Sequence, residues 1–106
     1  IDLGADVNIK NVHGNTALIK SIDNKHSEIT KLLITSGANV NIKDDNGNTP
    51  LITATYRGNI EIVNLLIASG ANVNIEKNNG ITPLMAATHR GHIEITKLLI
   101  QAGAKR

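Results

Sequence analysis

Apolar positions fall into two alternating kinds of stretch. In 50–57, Leu51, Ile52 and Ala54, with Thr55, make a narrow inner face, and the small Ala54 lets a neighbouring helix approach. In 60–69, Ile62, Val63, Leu65, Leu66 and Ile67 make an apolar surface too broad for one solvated stripe. That breadth predicts a helix buried on more than one side. Short polar segments separate these stretches. The whole arrangement then recurs: Gly37, Gly70 and Gly103 stand 33 residues apart, as do Gly14, Gly47 and Gly80, Thr16, Thr49 and Thr82, and Glu28, Glu61 and Glu94. A period of this length predicts a stacked array, not one globular core. The units are 8–40, 41–73 and 74–106, with 1–7 as the remnant of another. The chain opens on Ile1 inside a unit, so a fragment of a longer array is expected.

Local signals bound the elements. Thr16, Thr49 and Thr82 are N-caps, whose hydroxyls accept from a free backbone N–H. Pro50 and Pro83 follow at the first helical position, where no N–H is missed. Gly58 and Gly91 lie between the two helices, where a positive φ suits glycine. Lys25 holds that place in the first unit, and Ser21-Ile22 replaces Ala54-Thr55, so that unit is expected to be the least regular. Gly70 ends the second helix. Asn46-Gly47 and Asn79-Gly80, with His13-Gly14 before them, predict hairpin-like tips on short polar flanks.

The motif Asn46-Gly47-Asn48-Thr49-Pro50-Leu51, then Gly58-Asn59-Ile60-Glu61-Ile62-Val63, then Leu65-Leu66-Ile67 and Gly70-Ala71-Asn72-Val73-Asn74, resembles the ankyrin repeat. The resemblance covers essentially the whole chain. It implies an all-α solenoid of stacked helix-turn-helix pairs with hairpin-like tips along one edge. It also implies a module that binds another protein and catalyses nothing. The family's T-P-L-H histidine is replaced by Ile19, Ile52 and Met85, which removes hydrogen bonds that tie adjacent loops.

Composition fits a thin core. The chain has 106 residues, no Cys, Trp or Phe, and one Tyr, so Ile, Leu, Val and Ala must fill the interior. No apolar run reaches membrane-spanning length and no signal peptide stands at the start, so no membrane partner is expected. With the lack of cysteine, this gives an intracellular, cytoplasmic expectation. Net charge is +2, with acids and bases interspersed. Nucleic-acid binding would want a basic stripe with stacking aromatics, and neither occurs.

Candidate chemistry is sparse. His89 and His92 are the only close histidine pair, and no cysteine or HExxH accompanies them, so no metal or cofactor is expected. His92 and His26 are read as structural. Glu28, Glu61 and Glu94 suit the positive end of a helix better than three active sites. Asn8, Asn41 and Asn74 resemble a position hydroxylated in some ankyrin arrays, but the expectation is a loop Asn bonding local backbone.

Carried over by position, the resemblance places partner contacts on the tips and the ends of the first helices. The tips are Val12, His13 and Asn15, then Asp45, Asn46 and Asn48, then Asn78, Asn79 and Ile81. The helix ends are Asp23-Asn24, Tyr56-Arg57 and His89-Arg90. These positions vary between units while the scaffold stays fixed. Tyr56-Arg57 is the favoured centre, read as exposed, because Tyr and Arg dominate binding hot spots. Arg57 and Arg90 would complement an acidic patch or peptide. The alternative is a structural spacer with no partner of its own. The last unit lacks a polar outer face, which favours self-association through an uncapped end.

Overall fold

The computed structural model describes residues 8–105, so the expected remnant at 1–7 lies outside the described residues. Six helices follow in order: α1 Ala17–Asp23, α2 Ser27–Thr35, α3 Pro50–Arg57, α4 Ile60–Ala68, α5 Pro83–Arg90 and α6 Ile93–Gln101. No strand occurs among the described residues. The Thr caps form as the sequence predicts. Thr16, Thr49 and Thr82 accept from the N–H of Ile19, Ile52 and Met85 at 3.3, 3.2 and 3.1 Å. Pro50 and Pro83 open their helices.

The helices stack in two rows. Within one row α1 packs on α3 and α3 on α5; within the other α2 packs on α4 and α4 on α6. Each first helix also packs on its own second helix. The result measures 40 × 25 × 21 Å. Leu51, Ile52, Ala54, Ile62, Val63 and Leu66 are wholly buried in the middle unit. Burying each large side chain contributes about 2 kcal/mol. Ala54 and Ala87 are wholly buried in the core, and a larger side chain at either would overpack it.

The first unit differs in ways the sequence announced. Lys25 adopts φ 62° where Gly58 and Gly91 adopt 71°. The turn is nonetheless the same: His26, Asn59 and His92 donate to Ser21, Ala54 and Ala87 carbonyls at 2.8, 3.1 and 3.0 Å. The irregularity is thus one of strain, with α1 one residue shorter than α3. Ser21 is buried and satisfied. Its hydroxyl donates to the Leu18 carbonyl at 2.9 Å and lies 2.7 Å from that of Thr30. The corresponding pair in the middle unit is Ala54 and Val63, so a polar pair replaces an apolar one as a set.

Adjacent tips are tied without the missing histidine. Asp45 N–H donates to the His13 carbonyl at 3.3 Å and Asn78 N–H to that of Asn46 at 3.1 Å. These bonds need bare α-carbons beneath them. A Cβ on Gly14 would come within 2.8 Å of Asp45 N, and one on Gly47 within 2.6 Å of Asn78 N. Asn8, Asn41 and Asn74 make a second set of ties. Asn41 Oδ1 accepts from Asn72 N–H at 2.7 Å and its Nδ2 donates to the Gly70 carbonyl at 3.3 Å. Asn74 does the same with Lys105 and Gly103, and Asn8 Oδ1 accepts from Asn39 N–H. The expectation of a local loop bond is therefore corrected. The side chain of each Asn reaches the exposed peptide groups that follow the second helix of its own unit.

Candidate functional site

The tips and the C-terminal ends of α1, α3 and α5 bring the candidate residues to one edge. Each tip is a tight turn closed by backbone bonds, as between Asp44 N–H and the Asn48 carbonyl at 3.0 Å. In the first two tips an Asx side chain holds the turn. Asn11 Oδ1 accepts from His13 and Asn15, and Asp44 Oδ1 from Asn46 and Asn48. The third tip has Lys77 at that position. Its turn closes by the Lys77–Ile81 backbone bond at 2.8 Å, with Asn79 Oδ1 accepting from Ile81 N–H. Lys77 is thus relieved of the turn-holding role of its counterparts.

Its ammonium goes to Tyr56. Lys77 Nζ lies 5.4 Å from the centre of the Tyr56 ring, and the Arg90 guanidinium carbon lies 5.8 Å from it. Arg90 is held there by Nε and Nη2, which donate to the Tyr56 carbonyl at 3.4 and 3.3 Å. Tyr56 is half-buried, which corrects the reading of it as simply exposed. The two cations lean on the electron-rich face of the ring, an attraction of roughly 0.5–1 kcal/mol at exposed sites.

Arg57 behaves differently. Its Nε donates to Asp23 Oδ1 at 3.0 Å, and its Nη2 bonds the same oxygen. Arg57, expected to complement an acidic patch on a partner, is instead paired with Asp23 of this chain. Among the described residues, Lys31 and Lys97 are the other cations in ion pairs, and neither Lys77 nor Arg90 has a carboxylate partner. A cleft of about 480 Å³ opens between Asp23, Asn48, Thr53, Tyr56, Arg57, Lys77, His89 and Arg90.

The remaining tip residues divide. Asp45, Asn46 and Asn79 are exposed, while Asn48 and Ile81 are half-buried. Asn48 Nδ2 donates to Asp44 Oδ2 at 3.1 Å, and Asn78 Nδ2 to the Asp45 carbonyl at 2.8 Å, so both also hold the tips. A wider groove of about 800 Å³ runs beside Tyr56 and His89 onto Ile81, Leu84, Met85 and Ile100. Met85, buried as Ile19 and Ile52 in the earlier units, is 53% exposed here.

His13 and His89 belong to this edge, while His26 and His92 sit at the starts of α2 and α6. His92 caps α6 and lies over Gly58, where a Cβ would come 2.8 Å from its ring. His26 is exposed. Glu28, Glu61 and Glu94 stand in the first turns of α2, α4 and α6. Lys31 bridges two of them, Glu61 at 3.1 Å and Glu28 at 3.5 Å. The hydrogen bond to Glu61, then the charges of Glu61 and Glu28, raise the Lys31 pKa above the ordinary 10.5. Among the described residues, no three His, Asp or Glu side chains are grouped to hold a metal ion, and no helix is long and apolar enough to cross a membrane.

Lys77 is the residue that sequence reading missed. The available signal was a break in the internal comparison: Asn11 and Asp44 at the same step, then a lysine.

Comparison with known proteins bears on the whole edge. Family models for ankyrin repeats match residues 1–77 and residues 79–106. A search of curated proteins gives no match.

Proposed function

The chain belongs to the ankyrin-repeat family, and on that premise we propose that it is a protein-binding module whose partner lies along the tips and the ends of α3 and α5. Repeats of this family are generally protein–protein interaction modules and typically non-enzymatic. The boundaries 8–40, 41–73 and 74–106 of a single array belong to the same proposal. The observation that carries it is the arrangement at Tyr56. One half-buried aromatic, flanked by two cations that lack carboxylate partners, sits in an open cleft in the middle of the edge. Such a ring offers a large rigid contact area at small entropic cost, and Tyr and Arg are enriched among residues whose truncation weakens complexes most. A protein suits the site better than a nucleic acid, which would need further aromatics to stack successive bases.

A second reading is favoured by the Asp23–Arg57 pair and the Arg90–Tyr56 bond, which join neighbouring units. On it the edge is a set of inter-unit ties and the array a spacer.

Affinity capture separates the two. The 106-residue chain is compared with a Tyr56→Ala/Arg90→Ala variant and with Lys97→Ala on α6, all matched for helicity by circular dichroism. A protein retained by the parent and by Lys97→Ala, but lost from the double variant, is the expected result. Capture by none supports the spacer, and equal capture by all three overturns the placement of the partner at Tyr56 and Arg90.

A further inference from the structure

Resting on the protein-binding reading, we propose that the Lys77–Tyr56–Arg90 cleft is selective for a side-chain carboxylate in an acidic segment of the partner, and that Asp23 weakens this selectivity by occupying Arg57.

Charge comes first. Arg57 is neutralised by Asp23, so the cations available to a ligand at the cleft are Lys77 and Arg90. They are fixed before any ligand arrives. Arg90 is held on the Tyr56 carbonyl, and both cations rest on the Tyr56 ring. A carboxylate entering between them meets two donors whose positions need little further ordering, which lowers the entropic cost of binding. Placement between two units also makes the site a property of the stack, since Tyr56 belongs to α3, Lys77 to the third tip and Arg90 to α5.

The kind of anion follows from the donors left over. Planar two-pronged recognition of a phosphate uses adjacent guanidinium nitrogens together. Arg90 has committed Nε and Nη2 to the Tyr56 carbonyl, which removes that edge of the fork. What remains is the Nη1–Nη2 edge, with three N–H groups, beside a lysine that acts as a point charge. That edge matches the two coplanar oxygens of a carboxylate, and Asp23, which also lines the cleft, disfavours the second negative charge of a phosphate.

The test uses fluorescence anisotropy of the whole 106-residue chain at low ionic strength. The probes are labelled decapeptides of alternating Glu and Ala, the same peptide with Gln for Glu, and one with phosphoserine for Glu. Binding of the Glu peptide and not the Gln peptide is expected, weakening as salt is added. Lys77→Gln and Arg90→Gln should each weaken it by up to about fivefold, the scale of an exposed ion pair. Asp23→Asn should strengthen it, because it frees Arg57. That opposite sign guards against loss through misfolding. Equal binding of Glu and Gln peptides overturns the proposal, as does preference for the phosphoserine peptide or no change in Asp23→Asn. If these peptides fail while ridge-dependent capture from lysate succeeds, the carboxylate assignment falls and the binding-module reading stands.

Discussion

Lys25 offers a direct measure of strain in the array. It holds φ 62° at a turn where the two later units place glycine at 71°. A left-handed conformation costs a side-chain-bearing residue roughly 1–2 kcal/mol. Glycine gives back about 0.5–1 kcal/mol through the greater freedom of its unfolded state. Lys25→Gly should therefore stabilise the chain by roughly 0.5–1 kcal/mol, or about 3–6 °C in Tm for a domain of this size. Lys25→Ala removes the charge but keeps the strain, so it should leave stability almost unchanged. The reverse changes test the geometry. Gly91 has open space where a Cβ would go, so Gly91→Lys should cost only the conformational term, about 0.5–1 kcal/mol. At Gly58 a Cβ would meet the His92 ring at 2.8 Å, so Gly58→Lys should cost a further ~1 kcal/mol or more from overpacking. Urea unfolding followed by far-UV circular dichroism gives all four values, provided the slopes agree. A destabilised Lys25→Gly would refute the strain argument. Equal costs at Gly58 and Gly91 would refute the packing of His92.

Other outcomes follow from single contacts. Ser21→Ala and Thr30→Val should each cost up to about 1 kcal/mol, whereas the double change, which installs the Ala54/Val63 pair of the next unit, should cost less than their sum; additive costs in a double-mutant cycle would contradict the 2.7 Å bond. Asn41→Ala removes two ties to the following loop and should destabilise by roughly 1–2 kcal/mol, with hydrogen exchange rising first at Asn72; unchanged exchange there would count against the tie. Lys31 is stabilised in its charged form, so its contribution is complete below 10.5 and is lost as pH rises through its higher folded value. Stability should thus fall more steeply in alkali for the parent than for Lys31→Met, and parallel curves would argue against the bridge to Glu28 and Glu61.

Much of the scaffold was legible because its signals are local. Thr49-Pro50 fixes a helix start by its own hydroxyl and ring, and Gly58 fixes a turn by lacking a Cβ. The edge was less legible because its contacts do not follow the sequence period. Comparing residues at steps of 33 aligns Asp23 with Tyr56 and Arg57 with Asn24. The contacts run at 34, from Asp23 to Arg57 and from the Tyr56 carbonyl to Arg90. Helical side chains lean toward the N-terminus, so a long side chain covers the level of the residue before it. That lean carries Arg57 back to Asp23, and no alignment of units displays it. The ties of Asn41 were hidden for a similar reason. A loop Asn has several local partners, and only the folding of its own unit brings Asn72 N–H and the Gly70 carbonyl within reach.

The 33-residue period that carries these inter-unit contacts has a genetic consequence. If recombination excised residues 41–73, the flanking units would meet with their partners already matched. Arg90 would stand opposite Asp23, Glu94 opposite Lys31, and the Asn78 amide opposite the His13 carbonyl, each repeating a bond found at the present junction. The poor match is His92, which would descend on Lys25 instead of on the bare Gly58. Array length can therefore change by whole units in one step, with most junction contacts conserved, and His92 marks the junction at which such an exchange would be selected against.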